Sequence, residues 1–69
     1  MDQDRIIRLD QVLKLVGWVD SGGVAKHLIQ EGRVCLNGAV ETHRSKKVRL
    51  GDVVSFEGRS VTVTADLLG

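Results

Sequence analysis

Residues 21–47, SGGVAKHLIQEGRVCLNGAVETHRSKK, carry the reading of this chain. Ser21 has a hydroxyl that can accept from the free amides of a helix start. After it, Ala25, Leu28 and Ile29 share one side at helical spacing, while Lys26, His27 and Gln30 project from the other. Gly22 and Gly23 cost roughly 1 kcal/mol each against alanine in a helix interior. At the first turn the cost is smaller, and the missing side chains let another backbone approach. Gly32 fits a left-handed helix stop. Val34 and Leu36 then alternate with Cys35 and Asn37. Asn37-Gly38 is a strong short hairpin signal, because both residues tolerate positive φ in a type I′ turn. Val40 belongs to the returning strand, and Thr42 to Lys46 form a polar, basic loop.

Working outward, Asp10 is a plausible N-cap for a first helix. Leu9, Val12, Leu13 and Val16 fall on its apolar side, with Asp10, Gln11 and Lys14 pointing elsewhere. Gly17 stops that helix, and Trp18 follows. Residues 1–7 read as a polar lead-in ending in an extended piece at Ile6 and Ile7. On the other side, Val48 and Leu50 lead to a Gly51-Asp52 turn. Val53 to Phe56, Glu57-Gly58-Arg59 and Ser60 to Ala65 read as a second hairpin. The expectation is an α+β fold, two helices on a small antiparallel sheet of four to five short strands. One domain spans 8–65, with a tail at 66–69.

Sixty-nine residues allow one small domain without a deep interdomain cleft. The single cysteine, Cys35, excludes an internal disulfide and a cysteine-cluster zinc site. That favours a reducing, cytoplasmic setting. No apolar run approaches the roughly 20 residues that span a bilayer. The start MDQDRIIRLD is charged and reads as neither a signal nor a transit peptide. Trp18 and Phe56 are the only aromatics, which counts against stacking successive bases on exposed rings. Both are expected in the core.

Charge is uneven along the chain. From Lys26 to Arg49 six bases face two acids, a balance of +4, while residues 1–25 balance at −1 and residues 50–69 at −2. A near-neutral chain with one basic middle suggests a patch for a polyanion.

The run Arg8-Leu9-Asp10, then Ser21, Ala25-Lys26, Ile29, Gly32, Val34 and Asn37-Gly38, resembles the S-four RNA-binding domain, the alpha-L motif. The resemblance covers roughly residues 8 to 65. It is closest to the small stand-alone bacterial YbcJ-like type, through Leu13-Lys14-Leu15, Gly17-Trp18, Ser21-Gly22, Val40-Glu41 and Val54-Ser55-Phe56 with Gly58. No single piece is specific; their order and spacing together are. The resemblance implies two helices on a small sheet, with RNA against a basic face of the helices and adjoining loop. It points to Lys26, Arg33, Arg44 and Lys47 as RNA-binding residues, with Lys14 behind them; by their own position in or beside the basic segment, Lys46, His43 and His27 are further candidates. Many larger members carry a basic residue where this chain has Gly22, and the stand-alone type often has arginine where this chain has His43. Both differences lower the fixed charge, so modest and somewhat pH-dependent affinity is expected.

The residues support the same reading by themselves. Lysine and arginine displace counterions from a phosphate backbone and give affinity with little sequence information. Structured RNA is the expected partner, ahead of DNA, and a monomer is expected; that the RNA is ribosomal or translation-related is implied by the resemblance alone. Arg49 alternates with Val48 and Leu50 and can be the exposed side of a strand. Cys35 with His27 or His43 lacks a third orienting group and an oxyanion site. Metal-spaced histidines and nucleotide-binding glycine loops are missing. A non-enzymatic protein without metal or cofactor is expected. The rival is a protein-interaction module that uses the same basic face, with an open sheet edge as a second contact.

Overall fold

Asn37 and Gly38 have φ of +53° and +86°, so the tight hairpin turn forms where the sequence places it. It joins strands β2 (Val34–Leu36) and β3 (Ala39–Val40). The computed structural model describes residues 6–68. Ahead of the hairpin lie β1 (Ile6–Arg8), α1 (Leu9–Leu15) and α2 (Gly22–Gln30). After it come β4 (Lys47–Arg49), β5 (Val53–Phe56), β6 (Arg59–Thr62) and α3 (Ala65–Leu68).

The α+β order holds, with more strands than the sequence suggested. Among the described residues six strands form two antiparallel sheets: a ribbon of β1 and β4, and a four-stranded sheet in the order β3-β2-β5-β6. Ile6 and Ile7 belong to β1, so the fold includes the end of the expected lead-in; residues 1–5 lie outside the described residues. The segment expected to be a tail contains the short helix α3.

Both main helices end in the same way. Gly17 and Gly32 take φ of +78° and +80°. In α1 the Trp18 and Gly17 amides donate to the Leu13 and Lys14 carbonyls; in α2 the Arg33 and Gly32 amides donate to Leu28 and Ile29. This double bond pattern satisfies carbonyls left free by each last turn. The start of α2 follows expectation, with the Val24 amide donating to Ser21 Oγ at 3.3 Å.

The start of α1 does not. Arg8 occupies the cap position, and its amide donates to Gln11 Oε1 at 3.1 Å. The next two amides, Leu9 and Asp10, donate to the Lys46 and Arg44 carbonyls at 3.0 and 3.2 Å. A distant loop therefore supplies the acceptors that a capping side chain would provide. Asp10 is not the cap, and it is buried at 2% exposure instead of facing solvent.

The core joins the helices to both sheets. Leu9, Val12 and Leu13 of α1 meet Ala25 and Ile29 of α2, with Val34, Val48, Val54, Phe56 and Val63 from the strand region. Trp18 is partly buried and packs against Phe56, ring centroids 6.0 Å apart. Val48 is fully buried and pairs with half-buried Ile7 across the ribbon. Side chains alternate along a strand, so the flanking residues must point outward.

Candidate nucleic-acid interface

The ribbon's outward face is cationic. Its register sets Arg8 directly opposite Lys47 and Ile6 opposite Arg49, and all four are exposed. Like charges directly opposite in an antiparallel pair destabilise it. Arg8 is partly offset by Asp10, with Nε 3.4 Å from Oδ1. Lys47 and Arg49 have no carboxylate partner among the described residues, and neither do Lys46 and Lys26.

The loop before β4 is held against both helices. Its carbonyls take the α1 amides, and Arg44 Nε and Nη2 donate to Asp10 Oδ2 at 3.0 and 2.8 Å. On the other side a Cβ at Gly22 would lie 3.5 Å from Arg44 Nη2, so the guanidinium sits against the first turn of α2. Lys26 is four residues beyond Gly22 and therefore lies one turn along the same flank. Arg44, Lys26 and the loop thus share one side of α2.

His43 is exposed, and its amide and Nδ1 meet Glu41 Oε2 at 3.2 and 2.8 Å. The side-chain hydrogen bond with His43, helped by the backbone amide, holds the Glu41 carboxyl below its ordinary range. His27 is exposed on the outer face of α2. Lys14 lies beside Ile7, Gln11 and Leu15 in an open groove on α1.

Arg33 stands apart. It follows the C-terminal end of α2, whereas Arg44 touches the N-terminal end, and nine helical residues at about 1.5 Å each separate those ends. Arg33 also lies 3.8 Å from Glu31 and 3.7 Å from Glu57, in a mixed-charge setting. Asn37 is occupied structurally: its Oδ1 accepts from the Val53 amide at 2.8 Å and its Nδ2 donates to Asp52 at 3.2 Å.

Sequence reasoning did not single out Arg8 as a candidate, and it left Arg49 open between a basic contact and the exposed side of a strand. The signal for both was the alternation around Ile7 and Val48, which becomes a face only once the two strands are paired. Asp10 was misread because a polar residue beside an apolar stripe looks like a cap.

Residues 2–64 match the S4 domain family. The chain belongs to that family. It is 49% identical over 59 residues to the "Putative RNA-binding protein YbcJ" of Escherichia coli (strain K12), covering 86% of this chain and 84% of that one. It is 42% identical over 53 residues to the "Probable ribosome maturation protein RlbA" of Bacillus subtilis (strain 168), covering 77% and 75%. The solution structure of YbcJ, described as revealing an alpha-L motif involved in RNA-binding, superposes with a TM-score of 0.64 at 50% identity, over 84% of this chain and 73% of that one. Heat Shock Protein 15 of Vibrio cholerae shares the fold at a TM-score of 0.74 and 21% identity, covering 86% of this chain and 63% of that one.

The expected alpha-L fold is therefore that of this S4 domain. The names of YbcJ and of its solution structure refer to RNA-binding, and that of RlbA to ribosome maturation. Among the described residues no group of three or more His, Cys, Asp or Glu side chains could hold a metal ion. No described helix is long and apolar enough to cross a membrane.

Proposed function

We propose that this S4 domain binds structured RNA without catalysis, through the face built from Lys26 on α2, Lys46 in the loop, and Arg8, Lys47 and Arg49 on the ribbon. The observation that carries the reading is the Arg8–Lys47 juxtaposition, flanked by cations without carboxylate partners among the described residues. Such a face costs the free protein stability, and phosphates would remove that cost. His43, in the loop, and His27, next to Lys26, are secondary candidates, and Lys14 is a weaker one because it lies beside Ile7, on the other side of the ribbon from Arg8 and Lys47. Arg33 is a weaker candidate, because two glutamates share its charge. The RlbA relative supports ribosomal RNA as the source, and the protein would act as a cytoplasmic monomer.

About four to six phosphate contacts give a fall in log affinity of about 3 to 5 per decade of salt. Fluorescence anisotropy with a hairpin RNA and a DNA duplex of equal length, across a salt series, tests this. The expected result is salt-dependent binding that favours RNA and is lost when Lys46 and Lys47 are both changed to glutamate. A slope near zero, or binding that survives the double reversal, refutes the proposed face. A partner protein retained after nuclease treatment would favour the protein-interaction reading instead.

A further inference from the structure

Asp10 and Arg44 engage each other twice. The Asp10 amide donates to the Arg44 carbonyl at 3.2 Å, and the Arg44 guanidinium returns two hydrogen bonds to Asp10 Oδ2. The Asp10 side chain is 3% exposed, against 39% for Arg44. Asp10 Oδ1 is buried and has no hydrogen-bond partner, so this carboxylate depends on Arg44 for its hydrogen bonds. A phosphate that drew Arg44 away would leave the buried carboxylate with no hydrogen bond and only the longer Arg8 ion pair, Nε 3.4 Å from Oδ1, which is more costly than losing a surface contact. Gly22 packs on the same guanidinium, and the Leu9 amide holds Lys46 next door.

We infer that Asp10 and Arg44 form a latch that fixes the Lys46–Lys47 cations against α1 and α2, making Arg44 a positioning residue and not a phosphate contact. This rests on the RNA-binding reading above. The two roles for Arg44 predict opposite signs. Electrostatics alone says that Asp10→Asn, which removes a negative charge beside the face, tightens RNA binding. A latch says that it weakens binding. Arg44→Lys also separates them, because lysine keeps the charge for a phosphate but cannot reproduce the forked contact.

The test compares the full chain with Asp10→Asn and Arg44→Lys, using hairpin RNA affinity and amide hydrogen exchange, with Trp18 fluorescence reporting the fold. The expected result is about tenfold weaker binding for each variant, on the scale of hydrogen bonds to a charged group. The Leu9 and Asp10 amides should exchange at least about tenfold faster, with the Cys35 amide in the four-stranded sheet unchanged. Equal or tighter binding by Asp10→Asn, or native affinity in Arg44→Lys, overturns the inference. If Asp10→Asn does not fold, Arg44→Lys decides by both readouts. A wild-type chain that binds no RNA refutes the RNA-binding reading itself; unchanged exchange at Leu9 and Asp10 in a folded variant refutes the latch alone.

Discussion

Lys47→Glu should make the protein more stable and less able to bind RNA. In the native ribbon Lys47 stands directly opposite Arg8. Reversal replaces a like-charge pair with an opposite-charge pair, and each such term is about 0.2–1 kcal/mol. Both side chains are exposed, so screening reduces the gain, and about 0.5–1 kcal/mol is the working figure. A domain of this size has an unfolding entropy of about 0.14 kcal/mol/K, so the melting temperature should rise by about 3–7 °C. The gain should shrink as salt is raised. Loss of one phosphate contact lowers the salt slope of RNA binding by about 0.7–0.9, and the new carboxylate adds repulsion. Thermal unfolding by circular dichroism at low and high salt reads the first effect, and anisotropy with hairpin RNA reads the second. Lys47→Gln should fall between wild type and Lys47→Glu in both assays. A destabilised Lys47→Glu, or one that binds RNA as wild type does, would show that the ribbon register does not create the site's charge.

Asn37→Ala removes the acceptor of the Val53 amide and the donor to Asp52, and leaves a side chain at φ +53°; about 2–3 kcal/mol of stability should be lost in urea unfolding. Glu57 also has positive φ, at +49°, and precedes Gly58 in the second hairpin turn, so Glu57→Asn should stabilise by about 0.5 kcal/mol after loss of its long contact to Arg33. Because His43 holds the Glu41 carboxyl below its ordinary range, this contribution is full above that range and is lost as pH falls through the lowered value. Urea unfolding from about pH 6 to about pH 3 should show a decline in wild type that is shallower in Glu41→Gln.

The parts of the fold that were legible in the sequence are those set by neighbouring residues. Ser21, Gly17, Gly32 and Asn37-Gly38 each solve a local backbone problem, and each lies where its chemistry suggests. Pairing β1 with β4 was not legible, because it joins opposite halves of the chain and nothing in Ile6-Ile7-Arg8 names its partner. The same limit hid Asp10. Its partner is 34 residues away, and its capping role was taken over by the Lys46 and Arg44 carbonyls. Charge density alone made Lys26, Lys46, Lys47 and Arg49 candidates, whereas Arg8, and the grouping of Arg49 with it on one face, needed the register.

The formal charge of +1 understates the field that a polyanion would meet. Among the described residues, most acids have their charge used internally or away from the ribbon. Asp10 is buried under Arg44 and Arg8, and Glu41 is turned onto His43. Asp52 accepts from the Arg49 amide and from Asn37, which ties its carboxylate to the turn after β4. Glu31 and Glu57 gather around Arg33 beyond the C-terminal end of α2. Arg33 therefore contributes to the field by holding two acids at the far end of the helix, even where it touches no phosphate. Asp20 and Asp66 are exceptions, both exposed and without a cationic partner among the described residues, and Asp20, beside Ser21, limits the field at the start of α2. Segregation of this kind orients a small protein before contact and raises the rate of productive encounter more than the final affinity. The site's charge is thus a property of how acids are folded away as much as of how many bases the loop contains.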